Sequence, residues 1–176
     1  MAGPTPVLVA GVSLLVVLLI MGAELALSRR HEHSLRAQGA LEPPGDVYRT
    51  MRWAYPAALV VMAVEGALFG PAPGATTVAG AGLLAAAKLL KGWAVSALGS
   101  RWTFRVLVPP SAPLVTRGPY AWMRHPNYVA VIGELVGMAV LVGARVTGPL
   151  GVLLFSLLLR ARIRVENRAL RHPTCS

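Results

Sequence analysis

Charge is scarce in this 176-residue sequence: 14% of its residues carry it, where a soluble domain has roughly 25%. Acids are scarcest, seven against 17 basic residues, while 55% of the chain is hydrophobic and the mean hydropathy is +0.60. Such a balance fits a chain whose solvent is largely lipid. A net charge of +10 raises nucleic acid as a partner, but that reading needs basic residues spread over a soluble face. Here they cluster between apolar runs, as loops flanking membrane spans do, so no nucleic acid is expected. Cysteine is nearly absent. Cys175 alone excludes an internal disulfide and a cysteine-based metal cage, and its penultimate place does not match the four-residue prenylation signal. His31, His33, His125 and His172 show no ligand-like cluster, so no metal is expected.

What is abundant is apolar sequence, in five stretches: about Pro6 to Leu27, Trp53 to Phe69, Thr77 to Leu98, Tyr128 to Val142 and Val146 to Leu159. A membrane helix needs about 20 residues to cross roughly 30 Å of hydrocarbon. The first three meet or approach that length. The last two are short, and predict either a tight helical hairpin or helices lengthened by their polar flanks, with Gly143 to Pro149 as the break. The first stretch lacks a basic leader and exceeds the usual apolar core of a signal peptide, so it reads as a retained span. Basic residues follow the first, third and fifth stretches: Arg29, Arg30, Arg36, Arg49 and Arg52; Arg101, Arg105, Arg117 and Arg124; Arg160, Arg162, Arg164, Arg168 and Arg171. Only Arg145 falls on the other side. The asymmetry predicts an all-α membrane bundle of about five transmembrane helices, with the N-terminus outside and the C-terminus cytoplasmic. No repeat or long linker divides residues 1–176, so a single domain is expected.

Glu24, Glu65, Lys88, Lys91 and Glu134 interrupt the apolar runs. A charge at the bilayer centre costs about 2.5–3.5 kcal/mol on insertion scales, so each needs a partner, a wet cavity or a function. Glu24 reads as a boundary residue facing headgroups or Arg29. Lys88 and Lys91 share a helical face, and either pair with Glu65 or snorkel. Glu134 lies about two turns beyond Asn127 on the same face. Two roles stay open for it: accepting a proton from an acceptor hydroxyl, or pairing with a lysine of the third span.

The segment richest in chemistry is Leu114-Val-Thr-Arg-Gly-Pro-Tyr-Ala-Trp-Met-Arg-His-Pro-Asn-Tyr128. Gly118-Pro119 predicts a turn. Pro126 belongs in the first turn of a helix, where its missing N–H is no loss. Arg124 and His125 then sit at a helix N-terminus at the water boundary, where backbone N–H groups and a guanidinium suit an anion. Tyr128 adds an aromatic face and a hydroxyl, although an interfacial belt of Arg, Trp and Tyr explains the same residues. Further on, Arg160 to Leu170 predicts a helix leaving the membrane, with Glu166 as its sole acid. Glu166 either pairs with Arg162 one turn earlier or binds a cofactor ammonium or ribose hydroxyl.

Gly-Pro-Tyr120, then Arg124-His-Pro-Asn-Tyr128, a hydrophobic hairpin and an arginine-rich helix with an acid together resemble the isoprenylcysteine carboxyl methyltransferase family. Leu98-Gly-Ser-Arg-Trp-Thr-Phe-Arg-Val106 and Val108-Pro109 resemble that family's approach to the motif, so the resemblance covers a core of about residues 98–170. Glu24-Leu-Ala-Leu-Ser-Arg-Arg30, Gln38-Gly-Ala40 and Tyr48 are similar to small bacterial members associated with type III polyketide synthases, which O-methylate alkylresorcinols or alkylpyrones. The resemblance implies S-adenosylmethionine bound at the cytoplasmic mouth by Arg124, His125, Pro126, Tyr128, Glu166 and Asn167, in a bacterial cell membrane. The family usually ends in a Glu-Glu pair. Here the second position is Asn167, which hydrogen-bonds but carries no charge. The soluble methyltransferase fold is not indicated, since no Gly-rich strand–turn–helix signature is present.

The acceptor implied is a lipophilic molecule or membrane lipid. A phenolic or pyrone polyketide lipid leads, and prenylcysteine carboxylates and phospholipid amines are the alternatives. An ionised carboxylate acceptor needs no base, whereas a phenolic or enolic hydroxyl is helped by one, and Glu134 is the candidate. A non-enzymatic scaffold or transporter subunit, or a sterol-type reductase using a nicotinamide cofactor, remain the competing expectations.

Overall fold

A computed structural model describes residues 5–108 and 115–171, with side chains through Arg168. Pro109, Leu114, His172 and Cys175 lie outside the described residues. Among the described residues there are five α-helices, α1 (Pro6–Ala37), α2 (Tyr48–Phe69), α3 (Ala75–Leu98), α4 (Pro126–Val142) and α5 (Thr147–Arg171), and two short 3-10 turns at Gly99–Arg101 and Gly118–Ala121. Each of the five apolar stretches is the heart of one helix, and among the described residues the only β feature is an isolated antiparallel bridge between Leu41 and Val108.

Helices α1, α2 and α3 are long and apolar enough to cross a membrane. α4 has 17 residues, about 25 Å at 1.5 Å per residue. α5 starts apolar and ends rich in arginine, so the short fifth stretch is lengthened by its polar flank while forming a hairpin with α4. α1 likewise runs ten residues past Leu27, to Ala37. Its start is set by Thr5, whose hydroxyl accepts from the Leu8 N–H at 3.3 Å, with Pro6 in the first turn.

The bundle is apolar on its outside and keeps a few polar groups inside an otherwise hydrophobic core. Leu8, Leu15, Leu19, Leu89, Leu153 and Leu157 are exposed, whereas Ser28, Lys91, Glu134 and Arg162 are buried. In lipid an outward leucine needs no partner, and helix association depends on close packing and internal polar contacts. The tightest seam joins α3 to α4. A Cβ on Gly137 would stand 2.7 Å from the Leu84 nitrogen, and one on Gly80 would stand 2.2 Å from the Leu141 nitrogen. Only glycine allows this approach, which carries Lys88 and Lys91 against α4. Leu59, Met62, Leu135, Met138, Phe155 and Leu159 fill the core between α2, α4 and α5.

The ends of α1, α3 and α5 and the starts of α2 and α4 meet at one end of the bundle. There residues 38–47 are clasped to residues 102–108 by the Leu41–Val108 bridge, by Arg105 donating to Glu42 at 2.7 Å, and by the Val106 N–H donating to Asp46 at 3.0 Å. The arginine clusters gather at this end. Glu65 lies at the other, where it accepts from the Val146 and Thr147 N–H groups at 2.9 and 2.7 Å and so caps α5.

Candidate active site

His125 precedes α4 in a non-helical conformation (φ −133°, ψ 59°), and Pro126 occupies the first turn, as the Pro rule predicts. The His125 carbonyl accepts from the Tyr128 and Val129 N–H groups. These two donors are spent locally, whereas the His125 and Asn127 N–H groups at the same helix start make no backbone hydrogen bond among the described residues. Arg124 beside them is exposed and has no ion pair among the described residues. The His125 and Tyr128 rings stack at 5.4 Å and 20°, and His125 Nδ1 lies 3.8 Å from Glu166 Oε2.

Arg162, buried on α5, organises the mouth. Its Nε donates to the Tyr128 hydroxyl at 3.0 Å, its Nη1 to Asp46 Oδ1 at 2.9 Å, and its Nη2 to the Phe104 carbonyl. The Tyr128 hydroxyl in turn donates to Glu166 Oε2 at 2.6 Å. The expected Arg162–Glu166 pair is thus replaced by a relay with Tyr128 between them, because Arg162 turns inward to Asp46. Glu166 is partly exposed, and Asn167 next to it is half-buried. Trp102 is buried under the same end, its indole donating to Asn127 at 3.4 Å and its carbonyl 2.7 Å from His31 Nδ1. Tyr120 lies within electrostatic reach of Glu166. Burial and then the Glu166 charge push its phenol up, so it stays protonated.

Six residues beyond Tyr128 on α4, about 9 Å of helix rise, lies a second polar cluster. Glu134 is fully buried, with Lys88 Nζ at 3.1 Å and Lys91 Nζ at 3.4 Å. The same ammonium groups reach Glu24 at 3.3 and 2.6 Å, closing a ring of two acids and two bases. Tyr55, which packs on Phe155, donates its hydroxyl to Glu134 Oε2. Glu134 Oε1 accepts no hydrogen bond.

The structure brings Arg124, His125, Pro126, Tyr128, Glu166 and Asn167 to one end and sets Glu134 apart, deeper in the bundle. Pairing of Glu134 with lysines of α3 is present. Pairing of those lysines with Glu65 is not, because Glu65 caps α5 at the opposite end. Glu24 is no boundary residue facing Arg29; it completes the buried ring. Asp46, Tyr55, Tyr120 and Arg162 acquire roles here that the sequence reading did not assign. For Asp46 a signal existed: it is the chain's only aspartate, and it follows Pro43-Pro44-Gly45 in a turn where it accepts from the Tyr48 N–H.

Among the described residues no group of three or more His, Cys, Asp or Glu is placed to hold a metal. The donor set does fit a cofactor carrying both charges. Arg124 complements a carboxylate, Glu166 complements an ammonium or a ribose hydroxyl, and the stacked His125–Tyr128 faces suit a cationic or aromatic group.

The chain is 33% identical to uncharacterized protein YpbQ of Bacillus subtilis over 160 residues, covering 90% of this chain and 95% of that one. It is 26% identical to an uncharacterized protein of Haemophilus influenzae over 157 residues, covering 89% and 91%. No solved structure matches. The family model for isoprenylcysteine carboxyl methyltransferases matches residues 80–172, which hold most of α3, all of α4 and α5, and every mouth residue named above except Asp46 and His31. The chain belongs to the isoprenylcysteine carboxyl methyltransferase family, and is an integral membrane S-adenosylmethionine-dependent methyltransferase.

Proposed function

We propose that this enzyme transfers a methyl group to the oxygen of a lipophilic acceptor that reaches the mouth from within the bilayer, and that the acceptor is a phenolic or pyrone polyketide lipid made by a type III polyketide synthase pathway. The observation that carries the oxygen assignment is Glu134, on the membrane side of the mouth, a buried carboxylate whose Oε1 accepts no hydrogen bond and has the Lys91 ammonium 3.4 Å away. An acceptor hydroxyl gives up a proton as it is methylated, and a carboxylate in this place is the group to receive it. Tyr55 and the two lysines hold Glu134 in position for that task.

Bound S-adenosylmethionine supplies the electrophilic methyl on a sulfonium. Arg124 would hold its carboxylate and Glu166 with Asn167 its ammonium or ribose, while the His125–Tyr128 stack covers the cationic centre. Pro126 fixes the turn that presents these groups. Alignment is the main catalytic requirement of an in-line displacement, which suits a site whose side chains are tied to three helices. The five-helix arrangement, with arginines gathered at the mouth, supports five spans with the mouth and C-terminus cytoplasmic in a bacterial cell membrane, residues 1–176 acting as one domain.

A second reading, a prenylcysteine carboxylate, is favoured by the family's description. Such an acceptor arrives ionised and needs no base. The two readings separate in one experiment: transfer of labelled methyl by purified protein in lipid, offered an alkylresorcinol, an alkylpyrone and a prenylcysteine, with Glu134→Gln, His125→Ala and Glu166→Ala beside it. The proposal expects a labelled polyketide lipid, lost in all three variants. Preference for prenylcysteine with Glu134→Gln fully active would overturn it.

A further inference from the structure

The mouth contains a directional chain of hydrogen bonds that begins outside the residues shared with the family model. We infer that Asp46, in the α1–α2 loop, is a positioning residue for cofactor binding: through Arg162 it fixes the Tyr128 hydroxyl, and through that hydroxyl the Glu166 carboxylate. The inference rests on the mouth being the cofactor site, as proposed above.

The direction follows from what each group is able to do. A guanidinium only donates. Arg162 Nε therefore donates to Tyr128, and the Tyr128 lone pair is occupied from that side. Its own proton must then point elsewhere, and the acceptor within reach is Glu166 Oε2 at 2.6 Å. Glu166 thus has one oxygen held while the rest of the carboxylate faces the mouth. Arg162 is unavailable for cofactor contact, since its nitrogens are engaged by Tyr128, Asp46 and the Phe104 carbonyl and its side chain is 6% exposed. Asp46 sets the guanidinium's plane, and is itself over-determined: the Tyr48 N–H at 3.1 Å and Arg162 at 2.9 Å meet Oδ1, and the Val106 N–H at 3.0 Å meets Oδ2. At 4% exposed it is shielded from screening by salt, so its pull on Arg162 is strong.

The test is cofactor affinity, by calorimetry with S-adenosylhomocysteine on the full chain in nanodiscs, for Asp46→Asn, Tyr128→Phe, Glu166→Ala and the Asp46→Asn/Tyr128→Phe double variant. Asp46→Asn is expected to weaken binding about tenfold, the range for a charge-assisted hydrogen bond. The double variant should bind as Tyr128→Phe alone does, because without the hydroxyl Asp46 has nothing to act through. A merely structural aspartate would multiply the two losses, and that result would overturn the inference. Arg162→Lys is the second probe: it keeps a charge for Asp46 but loses the Nε fork, and should match Tyr128→Phe even where Asp46→Asn folds poorly. If Tyr128→Phe and Glu166→Ala weaken binding but Asp46→Asn and Arg162→Lys do not, only the positioning role fails. If Tyr128→Phe and Glu166→Ala also bind normally, the cofactor site itself is misplaced.

Discussion

Two polar networks share this bundle and are built on opposite plans. The ring of Glu24, Lys88, Lys91 and Glu134 is closed: two carboxylates and two ammonium groups from three helices, with Tyr55 bound from a fourth. The mouth is a line. It starts at the buried Asp46–Arg162 pair, passes through Tyr128 and ends at the partly exposed Glu166. A ring neutralises itself and gains most from staying intact, whereas a line with a free end has something left to offer a ligand. Stability should therefore be concentrated in the ring and cofactor affinity in the line.

The sharpest way to break that comparison is to open the ring. Glu134→Leu leaves two buried ammonium groups sharing Glu24, and removing one partner of a buried ion pair costs about 3–5 kcal/mol. Thermal unfolding in lipid should show this as a larger destabilisation than any substitution at the line's free end. A wild-type transition would mean the lysines relax toward Glu24 or the interface and the ring is not holding the helices.

The next effect is one of packing. Gly137→Ala would push a methyl against the Leu84 backbone, where the Cβ position is 2.7 Å from nitrogen. Overpacking of this kind costs about 1–3 kcal/mol. Because this seam brings Lys88 and Lys91 to Glu134, its loss should also slow transfer, measured at saturating cofactor. An unchanged melting temperature would show that α3 slides freely on α4.

At the line's free end the balance reverses. Glu166→Ala should weaken cofactor binding about tenfold, equivalent to about 1.4 kcal/mol, while the melting temperature of the ligand-free protein barely moves. If instead stability falls and affinity holds, Glu166 belongs to the framework and the distinction between ring and line collapses.

Sequence and structure agree most closely where the information is local. Five apolar runs became five helices, because helix periodicity and hydropathy are properties of neighbouring residues, and Pro126 marked a helix start by its own chemistry. Helix ends were less legible. The arginine-rich continuations of α1 and α5 keep good helix propensity, so the helices outlast the apolar composition that announced them. Motif spacing located Arg124, His125, Tyr128 and Glu166 at one end. It was silent on partners: Asp46 meets Arg162 across 116 positions and Tyr55 meets Glu134 across 79, and nothing in a linear pattern records which buried acid finds which base. Glu65 shows the consequence: pairing with it was one of two readings for Lys88 and Lys91, yet it is used by backbone N–H groups at the far end of α5.

The smallest effect lies in the clasp that ties the two mouth loops together, and it sharpens the comparison by pH. Burial opposes ionisation of Glu42, but hydrogen bonds from Arg105 and Arg36, both at 2.7 Å, outweigh it and hold the carboxyl below its ordinary value of 4.5. A carboxyl whose folded pKa is depressed contributes stability that is fully present above the unfolded pKa and is lost as pH falls through the folded one. The clasp should therefore be intact at neutral pH and weaken as the medium is acidified below about 4.5. Glu42 is partly solvated, so screening limits its contribution to about 1 kcal/mol or less. Glu42→Gln should flatten that part of the stability–pH curve and leave the plateau above pH 6 nearly as high as the wild type's. Since the clasp holds residues 38–47 on residues 102–108, and Asp46 lies in the first of these, cofactor affinity in the wild type should decline with the same midpoint. A decline in stability without one in affinity would mean Asp46 is held well enough by Arg162 and the Tyr48 and Val106 N–H groups, and that the line at the mouth is independent of the Glu42 clasp.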